Sequence, residues 1–547
     1  MPLFRILIVS AFASGAAVAA AAPVNITVRP DLVRQHFAGP GFQCEMFLDS
    51  APKEYFDQVM AKRWRELNPG FARVMLHRDR IKDANPLERL KEQLLFLKQA
   101  TATEVYMTQG LRDVPEGPER QAWAKSIVDE LESLVQAGAT NVKSYCMTNE
   151  LSLHGWADLR KDMPLFRAYH QALYDELKKR GVPVKLLATD ASPTTNWNTI
   201  EWASQNMDDI TGVYGGHHYF NQFLPDSPDF YPWFKEQCAW AADLAKSKGK
   251  DFILGEFGPA QGAQSRWGAP WATAKFYNGP QEPMTGLQIA EGAVAAINGG
   301  IYGLAYWSFS DEPDDPKSRV GHRWGLFRWM TDGATTRTPY YAYGLLTKFF
   351  HGPSAVHQVE SGDPLLRAAA VRNETTGTWS IAIINRNQES TAVSIALPEN
   401  PGKPFRKYIY DPAHVPVTDD GDLQEPAGKV AARGLGLTDT LQAESLAVYT
   451  TAYRDQPPAP VRGLQVSPIQ ARDWKRLHWD SGADPGLCYY RIYYNNVRIG
   501  STTVNEFVDA GPPRNGPGEY TVVAVDQSGN ASPPQRASQV PARNNAK

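Results

Sequence analysis

Between Phe37 and Gly352, eight short apolar runs alternate with longer stretches whose apolar residues recur at helical spacing. This alternation constrains the chain more than any other feature, because strand and helix in regular succession produce a parallel sheet covered by helices. The runs are Gly39 to Met46, Ala72 to Leu76, Glu104 to Gln109, Val142 to Thr148, Lys185 to Thr189, Gly212 to Tyr219, Phe252 to Phe257 and Tyr302 to Phe309. The intervening stretches carry sets such as Trp123, Ile127, Leu131 and Leu134, or Phe166, Tyr169, Leu173 and Leu177, each lining one helix face. Eight pairs predict an α/β fold closed as a (β/α)8 TIM barrel. An open doubly wound sheet is the rival. It calls for a glycine-rich phosphate loop after the first strand, and Gly39 and Gly41 do not complete that pattern.

After a last helix, Pro339 to Phe350, the period changes to that of strands. The runs Leu366 to Val371, Trp379 to Ile384, Ala392 to Leu397, Arg406 to Ile409 and Ser445 to Thr450 predict a β-sandwich. The early strand Asn25 to Val28 has no helix of its own and is expected to join that sandwich, tying the two units at both ends. A proline-rich linker from Gln456 to Pro460 opens a third unit containing Trp479, a strand Tyr489 to Tyr494, a strand Tyr520 to Val525 and a turn Asp526 to Asn530. Its central Trp, the Tyr opening a late strand and the closing turn resemble a fibronectin type III module, which implies a second, smaller β-sandwich. The expected division is a barrel over 23–352, a sandwich over 353–454 and the last module with its linker and tail over 455–547.

Composition narrows the function. With 547 residues, 42% hydrophobic and 11% aromatic, the chain has enough apolar surface for several cores. Its 56 basic and 59 acidic residues are intermixed and nearly cancel to −3, which gives no footprint for nucleic acid or an anionic membrane. Residues 1–22, with Arg5, the apolar run Ile6 to Val9 and an Ala-rich end before Pro23, read as a signal peptide. A secreted protein, extracellular or periplasmic, with no membrane span is therefore expected. Cys44, Cys146, Cys238 and Cys488 are widely spaced and show neither a paired nor a metal-binding pattern.

In a barrel of this kind, reactive groups stand at the carboxyl ends of the strands. The fourth strand ends Cys146-Met147-Thr148-Asn149-Glu150, a polar pair following a run that should stay buried. The seventh ends Ile253-Leu254-Gly255-Glu256-Phe257-Gly258. A carboxylate in that setting is desolvated and calls for a partner or a function. Strands four and seven lie nearly opposite each other, so Glu150 and Glu256 can face one sugar from two sides, the geometry of glycoside hydrolysis.

Here the barrel resembles the clan A glycoside hydrolases, whose acid/base follows an Asn at the end of strand four and whose nucleophile ends strand seven. The likeness extends to Arg73 on strand two, His217 and Tyr219 on strand six and Trp307 on strand eight. Among the clan's families, the plan of a barrel with a sandwich that borrows the N-terminal strand is similar to families 39 and 30. The residues depart in part: family 39 usually continues the Asn-Glu pair with Pro, where this chain has Leu151, and the histidine that family 5 carries after strand three is replaced by Gln109.

The resemblance implies retaining hydrolysis of a β-linked polysaccharide or oligosaccharide without cofactor or metal, with Glu256 as nucleophile and Glu150 as acid/base. Arg73 and the Tyr219 hydroxyl are expected to keep Glu256 ionised, whereas Glu150 in a more apolar setting should bind its proton more tightly. Asn149 is expected to meet the sugar 2-hydroxyl and Trp307 to offer its face to the ring. His217 and His218 do not form a metal set, since strand one lacks a His-x-His and no carboxylate cluster completes one.

Each residue also has a purely structural reading. Glu150 suits a helix N-terminus, Glu256 a buried ion pair with Arg73, and either histidine a core position. His217 is favoured for the site because it shares a strand face with Tyr219. Trp156, Trp197, Trp267, Trp271 and Trp324 are open between sugar stacking and packing. Asp311, Glu312, Asp314 and Asp315 are expected to be mostly a solvated acidic loop. A catalytically silent barrel that binds glycans is the alternative for the whole chain.

Overall fold

The computed structural model describes residues 22–48, 50–76, 86–109, 117, 119–151, 161–219, 228–259, 283–313, 324–418, 420–469, 474–480, 482, 484–511 and 518–538. The expected signal peptide, Trp156, Trp267, Trp271, Asp314 and Asp315 therefore lie outside the described residues, apart from Ala22 at the segment's end.

Eight parallel strands close into a barrel in chain order. They are Gly39–Gln43, Phe71–Leu76, Glu104–Gln109, Val142–Cys146, Lys185–Ala191, Val213–Tyr219, Phe252–Gly258 and Gly303–Tyr306. The eighth pairs back onto the first, Gly39 opposite Gly303 and Phe42 opposite Tyr306, so the sheet has no edge and the open-sheet alternative is excluded. This is the TIM barrel that the alternating pattern predicts. Gly41 is required for closure: a Cβ there would stand 1.5 Å from the carbonyl oxygen of Phe71.

The covering helices form where their apolar stripes predict. Met163–Arg180 begins at Asp162, whose side chain accepts from the Leu165 amide, continues with Pro164 in its first turn, and stops at Gly181 with φ 67°. Its stripe, Phe166, Tyr169, Leu173 and Leu177, is buried. On Glu119–Gln136, Ile127, Leu131 and Leu134 are buried and Trp123 packs partly buried beside them.

The barrel is followed by β-sandwich structure. Nine strands form one continuous sheet, which contains every strand expected there and three more, Ser354–Ser361, Gly428–Val430 and Gly436–Leu441. Strand residues alternate between two cores. Ala382, Ile384, Leu446 and Val448 join the barrel core, while Ile381, Ile383, Ala447 and Tyr449 form a separate one, as the period of two requires. The early strand is longer than expected, Val24–Phe37. It pairs antiparallel with Ser354–Ser361 and parallel with Thr391–Ala396, and buries Ile26 and Val28 in the second core.

The remaining strands form a three-stranded and a four-stranded sheet around Leu477, Trp479, Tyr490, Ile492, Tyr520 and Val522. This unit packs on the barrel. Lys62, from the barrel helix Ala61–Leu67, lies 2.6 Å from Asp422, and Arg498 binds both oxygens of that carboxylate at 2.6 and 3.0 Å.

Candidate active site

Arg73 organises the mouth of the barrel. It is fully buried on strand two, and its guanidinium donates to Gln43 at 2.8 Å, Asn149 at 2.7 Å and Asp190 at 3.0 Å, and pairs with Glu256. Residues from strands one, two, five and seven and from the end of strand four thus meet at one planar cation, whose fork of donors can satisfy several acceptors at fixed angles.

Glu256 lies within strand seven and is 4% exposed. Its Oε2 accepts from the Tyr219 hydroxyl at 2.5 Å and lies 3.6 Å from His217 Nδ1. Arg73 and Tyr219 make the two contacts expected of them. The carboxyl is nevertheless held above its ordinary pKa: burial pushes it up, and His217, Arg73 and the Tyr219 hydroxyl offset only part of that rise, while the negative Glu150 adds to it. Arg73 and Tyr219 favour the ionised form, as expected of a cation and a hydrogen-bond donor, and desolvation opposes it.

Glu150 is 8% exposed, and its Oε1 lies 3.4 Å from His217 Nδ1. Glu150, His217 and Glu256 each present an atom such that all three lie within 4.8 Å of one another. The backbone at Glu150 is left-handed, φ 53°, a conformation that costs a non-glycine residue free energy and tends to cluster at functional sites. The polar end of strand four is thereby turned into the mouth of the barrel, toward His217.

His217 is fully buried with Nε2 at 2.7 Å from Asp190 Oδ1. Burial alone would strip its proton, but Asp190 and Glu256, with Glu150, outweigh burial and push its pKa up to about 10. Its neighbour His218 points to the other side of the strand. It packs 5.2 Å from the Trp233 ring and 5.3 Å from Phe234, and burial drives its pKa down to about 3. The period of two places His217 toward the two glutamates and His218 toward the aromatic rings of Trp233 and Phe234.

Asn149 is half-buried, its carbonyl occupied by Arg73. Trp307 follows strand eight directly, is half-buried, and donates its backbone N–H to Phe257 at 3.1 Å. Trp197 is a packing residue, 1% exposed, with its indole N–H on Ala191 and its ring 5.1 Å from Phe252. Asp311 departs from the expected solvated loop. It is 3% exposed and pairs with Arg337 through two bonds of 2.9 and 2.6 Å.

Asp190 and Gln43 are members of this network that the reading of the sequence did not single out. Asp190 is completely buried at the end of strand five, with φ 59° and a register irregularity between Thr189 and Ala191. The polar pair Thr189-Asp190 after the apolar Leu186-Leu187-Ala188 is the same signal that marks Asn149-Glu150, and it was available for strand five.

A buried histidine between two carboxylates also has the composition of a metal site. Here Arg73 already pairs with Glu256, and Asp190, Glu256 and Glu150 raise the pKa of His217, which opposes the neutral imidazole that metal ligation needs.

The barrel and its appended sandwich define a class of protein architecture, and solved structures share it. A glycoside hydrolase family 30 subfamily 8 xylanase from Clostridium acetobutylicum matches with TM-score 0.55 and 14% identity, covering 78% of this chain and 99% of that one. A family 30 endoxylanase from Clostridium papyrosolvens matches with TM-score 0.56 and 12% identity over 78% and 99%. The endo-β-1,6-glucanase BT3312 matches with TM-score 0.50 and 13% identity over 78% and 94%. No protein-family model and no curated protein matches the sequence. The chain has the (β/α)8 fold of clan A glycoside hydrolases.

Proposed function

We propose that this protein is a retaining β-glycosidase that hydrolyses β-linked glycans by double displacement, with Glu256 as nucleophile and Glu150 as general acid and then base. The observation that carries the reading is the pair of facing carboxyls. Oxygens of Glu150 and Glu256 lie within 4.8 Å across the barrel mouth, the close spacing that direct attack on the sugar requires, with too little room between them for the water of an inverting mechanism.

In the first step a Glu256 oxygen attacks the anomeric carbon, the glycosidic C–O bond breaks, and the leaving oxygen takes the Glu150 proton. In the second, Glu150 takes a proton from water, the water oxygen attacks the anomeric carbon, and the ester bond to Glu256 breaks. Arg73 and Tyr219 orient the Glu256 carboxylate. Asn149, its carbonyl held by Arg73, has its amide N–H groups available for the sugar 2-hydroxyl, and Trp307 offers a half-buried ring face for the sugar.

The named activities of the structural neighbours, xylan and β-1,6-glucan cleavage, differ from one another, so the substrate class proposed is the β-linked glycan. The reading includes export directed by residues 1–22 and a fibronectin type III-like accessory unit over 455–547.

The test is hydrolysis of a panel of β-linked polysaccharides and aryl glycosides by the mature protein and by Glu256→Gln, with product anomers followed by NMR. Net retention by the wild type alone is the expected result. Hydrolysis with inversion overturns the mechanism. Binding without turnover across the panel favours a catalytically silent glycan binder.

A further inference from the structure

In the double-displacement reading, on which this inference rests, one negative charge changes place during turnover. Before attack Glu256 is ionised and Glu150 holds a proton. After attack the Glu256 charge has gone into the ester bond, and Glu150 carries the charge because its proton has left with the departing oxygen. The total is constant but the position is not, and a site that favours only one of the two arrangements slows the step leading out of it.

Arg73 and the Tyr219 hydroxyl both hold Glu256. His217 faces both carboxyls: its Nδ1 is 3.4 Å from Glu150 Oε1 and 3.6 Å from Glu256 Oε2. Behind the ring, Nε2 is 2.7 Å from Asp190 Oδ1, and the other oxygen of Asp190 accepts from Arg73 at 3.0 Å. The contact with Asp190 is a close ion pair not aligned as an N–H hydrogen bond, and a negative charge 2.7 Å from Nε2 favours a proton there. With Nδ1 turned toward two more carboxyls, the ring state that suits all three is the imidazolium.

We propose that Asp190 is a positioning residue that keeps His217 as an imidazolium, whose Nδ1–H follows the negative charge from Glu256 to Glu150 and back within each turnover. A neutral ring with its proton on the Asp190 side would present a lone pair to both carboxyls. It would accept from protonated Glu150 and oppose the ionised form that the second step needs. Among the described residues, the charged or titratable groups around the His217–Asp190 pair are Glu150, Glu256, Arg73, Tyr219, Tyr106 and Cys146. Gly255 leaves space for the contact, since a Cβ there would lie 3.0 Å from Nε2 and 3.1 Å from Asp190 Oδ1.

The test uses the full chain with its 11 histidines 15N-labelled and the His217 signals assigned by their loss in His217→Gln. In the wild type, both His217 nitrogens should remain protonated through pH 8. In Asp190→Asn the ring should titrate at or below the ordinary histidine range, because burial is no longer offset by the charge behind it. Activity of Asp190→Asn relative to wild type should then fall about tenfold for each pH unit above that ionisation. The proposal is overturned by a wild-type His217 that loses a proton near neutral pH, by an unchanged titration in Asp190→Asn, or by a loss of activity equal at every pH, which would mark a merely structural role. The wild-type titration decides the matter if the variant does not fold. A protein without hydrolytic activity removes the charge-following role together with the double-displacement reading, while the spectra report the charge of His217 independently.

Discussion

A methyl group at position 255 would stand 3.0 Å from His217 Nε2 and 3.1 Å from Asp190 Oδ1, so these two buried side chains would have to shift by a few tenths of an ångström. Gly255→Ala is therefore expected to lower kcat by about 10- to 100-fold, with a smaller effect on KM, as measured by steady-state kinetics on an aryl glycoside. At Glu256 the sign of the stability effect is opposite to that on activity. Its folded pKa is raised, so its contribution to stability is full below the unfolded value and is lost as pH rises through the folded one. At neutral pH the ionised group destabilises the fold. Glu256→Gln should abolish turnover yet stabilise the protein by about 1–2 kcal/mol, seen as a higher Tm by calorimetry at pH 7. His170 and His218 act in the other direction. Burial drives both pKa values down to about 3, so the stability they contribute is full above the unfolded value and is lost as pH falls from there toward 3. Each contributes a slope of about 1.4 kcal/mol per pH unit within that window. His218→Phe, which keeps the ring between Trp233 and Phe234, should move the acid unfolding midpoint to lower pH.

At the scale of elements, the strand Val24–Phe37 has the most consequence for its length. It completes the nine-stranded sheet from the N-terminal side and passes through Ala38 directly into the first barrel strand. Ile26 is fully buried among Leu366, Ile381, Val393 and Ile395. Ile26→Ala should cost about 2–5 kcal/mol, measured as a lower urea midpoint with the fluorescence of Trp379 among the probes. Such an element is half legible in advance. The alternation from Asn25 to Val28 marks a strand and the absence of a following helix removes it from the barrel, whereas the stretch to Phe37 contains Pro30 and charged residues and becomes strand because Ser354–Ser361 pairs with it. Two of the three additional sheet strands were illegible for the same reason: Gly428–Val430 and Gly436–Leu441 are largely polar edge strands whose conformation comes from pairing, not from apolar alternation.

At the scale of the molecule, the C-terminal unit is fixed to the barrel through a buried carboxylate. Asp422 meets Lys62 from the barrel side and Arg491 and Arg498 from the C-terminal unit. Burial opposes its charge, but Lys62 and Arg498 pull its pKa well below the usual carboxylate range, so the network is intact at any pH above that range. Further bonds join the two, including Thr503 N–H to Asp57 at 3.1 Å and the Gln527 amide to Arg65 at 2.7 Å. Asp422→Ala would leave three cations at the junction without their shared partner. A loss of about 3–5 kcal/mol is expected, with a single urea transition in the wild type separating into two in the variant.

Local order along the chain was enough to determine the barrel, because strand and helix periods alternate eight times and a parallel sheet with both faces to bury has few other solutions. It also marked Asn149, Glu150 and Glu256 as polar residues that interrupt buried runs, and the fold brings them together at the mouth of the barrel. Tertiary structure decided which of those groups share a charge. Asp190, His217, Arg73, Glu150 and Glu256 are spread over residues 73–256, and nothing in their spacing indicates that one histidine would lie within 4 Å of three carboxylates. The same holds for Glu256, whose partners were legible and whose protonation was not, because the cost of desolvation depends on how much water the folded mouth excludes.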